Sequence, residues 1–186
     1  MRENKTKYAV LGLLSRQPQS GYDMRKQYMG SAGNFWSESY GQIYPILKQL
    51  EIEGMATHSV DRNEGRPDRK VYQITDAGRE ALREWLTVPA ETFQYRVEVL
   101  LKVMHGFEVG PDVTIEHVER FKREHEALLQ RYGGITEQLE EQYRDAPNLA
   151  YSLLTVRCGE RVSQAFVDWC DEAIERLRAL EPGSAE

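Results

Sequence analysis

A chain of 186 residues, 40% of them hydrophobic, is long enough to bury a core as one large or two small domains. Its longest apolar run, residues 8–14, falls far short of the ~20 residues of a membrane span, and no charged leader with a cleavage site precedes it, which predicts a cytoplasmic protein with no membrane partner. The net charge of −6 is uneven: residues 1–88 carry 13 Lys and Arg against 11 Asp and Glu, residues 89–186 carry 11 against 19, and a mildly basic first half suits contact with a polyanion.

In chain order, KTKYAVLGLLSRQ (5–17) places Tyr8, Leu11 and either Leu14 or Ser15 on one helical face, with Pro18 ending the segment. SGYDMRKQY offers Ser20 as the N-cap of a second short helix bearing Tyr22, Met24 and Tyr28, and the small residues of 30–34 form a turn. A third helix lies in SESYGQIYPILKQLEIEGM (37–55). The capping-box spacing of Ser39 and Gln42 starts it near Tyr40, and Gly54 ends it. Ile43, Leu47 and Leu50 face inward on that helix, whereas Gln42, Pro45 and Gln49 fall on the other side with Lys48 nearby.

Beyond Gly54 two strand-forming runs bracket a polar loop containing Gly65 and Pro67, a hairpin with arginines at its tip. Thr75 then caps a fourth helix whose apolar side is Ala81, Leu82, Trp85 and Leu86 and which Pro89 closes. Three helices, a hairpin with a basic tip and another helix make a winged helix-turn-helix, in which the third helix enters the major groove of DNA and the hairpin touches the flanking backbone. This explains why that helix has a weak front end. Gly41 allows close approach of the backbone, Gln42 pairs with a base edge and Tyr44 offers a hydroxyl to phosphate or base.

The segments YAVLGLLSRQPQSGYDMRKQ, GQIYPILKQLEIEGM and EGRPDRKVYQITDAGREAL, in order over residues 5–86, resemble the PadR family of bacterial transcriptional regulators. The resemblance implies a homodimeric repressor that leaves its DNA when an effector, a phenolic acid in the founding subgroup, binds near the C-terminal helices. Ser39, Gln42 and Tyr44 take the family's recognition-helix positions, and Gly65, Arg66 and Lys70 its wing positions. Lys48 and Arg69 join them as cations on the same two elements.

The remaining half reads as helices. RVEVLLKVMHGFEVG gives one with Val97, Leu100, Leu101 and Met104 as its packed face, stopped at Gly110 and Pro111. Val118, Phe121, His125, Leu128, Tyr132, Ile135 and Leu139 form a heptad-like stripe interrupted by Gly133 and Gly134. In the last segment Leu149, Leu153, Val156, Phe166, Val167, Cys170, Ile174 and Leu177 cover more than one face, which predicts a second copy of the chain as partner. The expected architecture is thus mostly α, with residues 1–88 a winged helix-turn-helix DNA-binding domain and residues 89–186 a helical domain for dimerisation and effector sensing.

Trp36, Tyr40, Phe93, Tyr95, Arg157 and Trp169 are the candidates for an aromatic pocket holding a small aromatic or phenolic acid. His58, His105, His117 and His125 lack metal-ligand spacing, and Cys158 and Cys170 lack a CxxC partner, so no metal, cofactor or disulfide framework is expected. Without GxGxxG, HExxH, SxxK or GxSxG there is no phosphate cradle, zinc-protease helix or serine elbow, and no enzyme is predicted. Binding of double-stranded DNA at an inverted repeat is the expected activity; the alternative is a winged-helix adaptor whose acidic half binds a protein.

Overall fold

The computed structural model describes residues 5–30, 42–61, 69–91 and 96–180, the side chains of 27–30 excepted. The chain forms two compact units, Met1–Thr92 and Phe93–Glu186. The division comes after Pro89 because Glu91 still pairs with Lys5 of the first unit at 2.7 Å.

The first unit runs α1 (Thr6–Arg16), β1 (Gln19–Ser20), α2 (Gly21–Gly30), α3 (Ile43–Ile52), β2 (Ala56–Asp61), β3 (Arg69–Ile74) and α4 (Asp76–Thr87). Its core is one cluster: Val10, Leu11, Leu13 and Leu14 of α1, Met24 of α2, Ile43, Ile46, Leu47 and Leu50 of α3, and Ala56, Tyr72 and Ile74 of the hairpin. The hairpin pairs β2 with β3 from Ala56↔Ile74 to Asp61↔Arg69. The sequence reading lacks β1, two residues that pair antiparallel with β3 (Gln19↔Tyr72, Ser20↔Val71) and make the sheet three-stranded in the order β1-β3-β2. Two residues are too few for a period-2 signal. Buried Gln19 is satisfied there by donating to the Leu13 carbonyl at 2.8 Å.

The caps follow the chemistry of the residues. The Asp23 amide donates to Ser20 Oγ at 3.3 Å, and the Gly78 amide to Thr75 Oγ1 at 3.1 Å. Leu86, expected on the inner side of α4, is exposed, whereas Trp85 stacks on Tyr8 with ring centroids 4.6 Å apart. One aromatic is enough to seat that end of the helix.

The second unit runs α5 (Glu98–Met104), a 3-10 turn (Gly106–Glu108), α6 (Pro111–Gln142) and α7 (Leu149–Arg178). Here α5 turns differently from expectation. Val99 and Val103 pack inward, while Leu100, Leu101 and Met104 are exposed, Met104 to 71%. A segment as uniformly apolar as VEVLLKVM satisfies two helical stripes at once, so periodicity cannot choose between them. Pro111 opens α6 rather than merely stopping α5, at the position where a missing N–H costs nothing.

The long helices α6 and α7 pack along their length. Helix α6 is continuous through Gly133 and Gly134, so the pair interrupts the stripe and not the helix. Ile115 and Val118 of α6 meet Cys170 and Ile174 of α7, with Phe121, Trp169, Ala173 and Leu177 around them. Further along, Phe121 meets Phe166 edge-on at 5.1 Å, and His125 Nδ1 lies 3.2 Å from Ser163 Oγ. Buried Tyr132 rests against Gly159, where a β-carbon would fall 2.5 Å from Tyr132 Cζ. Cys170 is fully buried and its thiol is pushed up to about 11, burial being the main cause, whereas Cys158 is exposed.

The residues expected to form a dimer pack largely within the chain. Val156, Val167, Cys170 and Ile174 are buried within the chain itself, and Phe166 and Leu177 pack on the same unit. With Leu149 and Leu153 half-buried, α6 takes up the stripe that was assigned to a partner. The excess apolar surface is real but lies elsewhere on α7, where Tyr151, Leu154, Val162 and Ala165 are exposed and recur at steps of three, eight and three residues.

Candidate nucleic-acid interface

The site is built from α3 outward. Helix α3 runs from Ile43, directly after Gln42, whose backbone is already helical (φ −81°, ψ −15°); the expected start near Tyr40 lies outside the described residues. Pro45 falls in the first turn of Ile43–Ile52, where its missing N–H costs little. The helix ends at Ile52, and Gly54 turns the chain with φ +70°.

Buried Ile43, Ile46, Leu47 and Leu50 fix the rotation of α3, which leaves Gln42, Tyr44, Pro45, Lys48 and Gln49 exposed. Ile46, which the sequence reading omits, completes the inner stripe. The C-terminal end of α3 is tied down: Glu53 accepts from Lys7 Nζ at 2.6 Å and from Gln49 Nε2 at 2.7 Å, and Glu51 meets His58 Nδ1 of β2 at 2.6 Å. The hydrogen bond from Lys7, then that from Gln49, holds the Glu53 carboxyl below its ordinary value. Beneath the helix, burial raises the Tyr72 phenol, so it stays neutral. The N-terminal turn, by contrast, presents Gln42 and 57%-exposed Tyr44 at the positive end of the helix dipole. One end of the helix is anchored and the other is open to an anion.

The second element is the wing, of which strands β2 and β3 are described. Lys70 is exposed and, like Lys48, makes no ion pair with any described residue. Arg69 is different, because its guanidinium pairs with Asp23 of α2. Nothing in the sequence reading assigned Asp23 a role, although SGYD has the S-x-x-D spacing that places it three residues after the capping serine. Ser39, Gly65 and Arg66 lie outside the described residues, as do Trp36, Tyr40, Phe93 and Tyr95 of the expected effector pocket.

The two described members of that pocket are not together. Arg157 is exposed on α7, twelve residues and therefore about 18 Å along the axis from Trp169. Trp169 instead lines an apolar groove of about 350 Å³ with Leu100, Val162, Ala165 and Phe166. Among the described residues no group of His, Cys, Asp and Glu is arranged to hold a metal, and no helix is long and apolar enough to cross a membrane.

An outward recognition helix, a three-stranded sheet with a wing and a second helical unit define a winged-helix DNA-binding protein. Residues 10–84 match the transcriptional regulator PadR-like family, and residues 95–178 match the family described as virulence activator alpha C-term. The chain is 29% identical over 184 residues to a probable transcriptional regulator of Mycobacterium tuberculosis and 28% identical over 179 residues to the negative transcriptional regulator PadR of Bacillus subtilis, each alignment covering 92% of this chain and 96% of the relative. Bacillus subtilis PadR in complex with operator DNA superposes with a TM-score of 0.82 at 26% identity, over 94% of this chain and 99% of that one. The same protein in complex with p-coumaric acid gives 0.71 at 27%, over 92% and 94%. The Vibrio cholerae virulence activator AphA gives 0.72 at 28%, over 94% and 99%. Residues 10–84 are thus those of a PadR-like transcriptional regulator, and the relatives that match along the chain are regulators rather than enzymes.

Proposed function

We propose that this regulator is a cytoplasmic homodimeric repressor that holds an inverted-repeat operator and releases it when a small aromatic acid binds. The observation that carries the reading is the outward face of α3, on which Gln42, Tyr44 and Lys48 are exposed, together with the exposed wing cation Lys70. Gln42 reads a base edge, Tyr44 meets phosphate, and Lys48 and Lys70 neutralise the backbone. Ser39 on the recognition element and Gly65 and Arg66 on the wing complete the proposed contact set.

Two-fold pairing is supported by the apolar surface that α6 leaves uncovered on α7, since an exposed stripe of that length marks an interaction site. A two-fold dimer also sets two recognition helices on half-sites one helical turn, about 34–36 Å, or a multiple apart. Repression and release by an aromatic acid are supported by the relatives, one a negative regulator and the same protein solved with p-coumaric acid. In this chain the apolar groove under Trp169 offers apolar walls for a ring.

Fluorescence anisotropy on DNA from upstream of its own gene tests the reading. Specific binding to an inverted repeat that weakens when p-coumarate is added is the expected result. Equal affinity for scrambled DNA would refute operator recognition, and a titration unmoved by aromatic acids would refute release by such an effector.

A further inference from the structure

The two cations that open β3 are adjacent in sequence and therefore point to opposite faces of the strand. Lys70 has no carboxylate partner among the described residues. Arg69 points the other way and pairs with Asp23, a residue in the first turn of α2 that also accepts from Ser20 Oγ at 3.1 Å while its amide donates back to that oxygen. Ser20 in turn belongs to β1, whose ladder to β3 runs through Ser20↔Val71, two residues from Arg69. The start of α2 and the base of the wing are thus closed into one loop of contacts: ladder, cap and ion pair.

Both members of the pair are close to half-exposed, and exposed ion pairs contribute little to stability. The consequence of the pair is geometric. A guanidinium engaged by a carboxylate has its charge compensated and part of its donor fork occupied and aimed away, so it is a poorer phosphate ligand than a free cation. We infer that Asp23 and Arg69 are a positioning pair that sets the wing against α2, and that Arg69 is not a phosphate ligand. The wing base then carries one DNA-contacting cation, Lys70, instead of two. A β3 strand held by α2 moves with the helix that supports α3, so the wing and the recognition helix meet the duplex at a fixed relative angle. This inference rests on the DNA-binding reading above for its functional meaning, but the pair itself is testable without DNA.

The experiment compares wild type with Arg69→Gln, Asp23→Asn, the double variant and Lys70→Gln, each in the full chain. Salt dependence of operator binding separates position from charge, because each phosphate contact contributes about 0.9 to the slope of log affinity against log salt. Lys70→Gln should flatten the slope by about that amount. Arg69→Gln and Asp23→Asn should each weaken operator binding with the slope unchanged, and the double variant should be no weaker than either alone, as expected of two residues acting as one unit. An Arg69→Gln slope flattened by about 0.9, with Asp23→Asn binding as tightly as wild type or more tightly, would overturn the inference and make Arg69 a phosphate ligand. Amide exchange on the free protein is the second readout. Faster exchange at Ser20 and Val71 in both single variants is expected, and unchanged protection would sink the pair even for a chain that bound no DNA, a result that would count against the proposed function alone.

Discussion

The ring of Tyr44 lies directly on the α-carbon of Gly21: a β-carbon there would fall 2.7 Å from Tyr44 Cε1 and 3.3 Å from Leu47 Cδ1. The first residue of α2 is therefore a seat for a side chain of the turn proposed to read DNA. Gly21→Ala should displace Tyr44, which is exposed enough to swing away, so the stability cost should stay under about 1 kcal/mol while operator affinity falls further. Urea unfolding and anisotropy on the same samples check this. A variant that loses stability and affinity in equal measure would mean that Tyr44 has no role at the DNA.

Gln42 makes no side-chain cap bond to the first turn of α3 among the described residues, and substitution separates its two expected roles. Gln42→Ala should leave the melting temperature unchanged and cost about 1–3 kcal/mol of binding at the operator, with a smaller loss on mismatched DNA. Equal losses on both DNAs would remove Gln42 from base reading.

Uncovered apolar residues on α7 lead to a prediction about assembly. Leu154→Glu and Val162→Glu should give soluble, folded monomers by sedimentation and much weaker binding to an inverted repeat, because both side chains are exposed in the single chain. Val156→Glu, six per cent exposed and facing α6, should instead fail to fold. Dimers that persist through both exposed substitutions would place the interface away from this stripe.

Glycines on the two long helices should respond with opposite signs. Gly159→Ala drives a methyl into buried Tyr132 and should destabilise by about 1–3 kcal/mol. A β-carbon at Gly134 meets nothing within 4 Å, so Gly134→Ala should stabilise by about 0.5–1 kcal/mol through the lower entropy cost of ordering alanine. Chemical denaturation of both variants decides; a stabilising Gly159→Ala would mean that α6 and α7 are free to separate at Tyr132.

The second unit should also weaken in mild acid. Burial between the rings of Phe121 and Phe166 lowers the His125 imidazole, with a smaller opposing pull from Glu124. The unfolded chain takes up its proton near pH 6.5 and the folded chain only at lower pH, so stability is full above about pH 6.5 and declines as pH falls towards the folded value. His125→Gln keeps a partner for Ser163 and should reduce the drop in urea midpoint between about pH 7.5 and about pH 5, a window above that in which Glu53 titrates. An identical drop in wild type and variant would show that this imidazole does not cause it.

How much of this could be read from the sequence depends on how narrowly each residue's chemistry constrains it. The rotation of α3 was legible because Ile43, Leu47 and Leu50 leave a single inward face, and the caps at Ser20 and Thr75 because hydroxyl caps are local. The turn of α5 and the division of the α7 surface were not legible at all, since several apolar stripes share those segments and only the neighbouring helix selects among them. Asp23 escaped notice for another reason: its partner is 46 positions away, and no periodicity reports a long-range ion pair.

The contrast between the two thiols gives the molecule a built-in handle. Cys170, enclosed and with its thiol pushed up to about 11, offers almost no thiolate to an electrophile, whereas Cys158 is open to solvent. A maleimide spin label or fluorophore would therefore attach to the unmodified chain at one position, between Leu154 and Val162 on α7. Because that position shares a helix face with the stripe proposed for dimer contact, its labelling rate would fall as two copies associate, without removing a cysteine or introducing one.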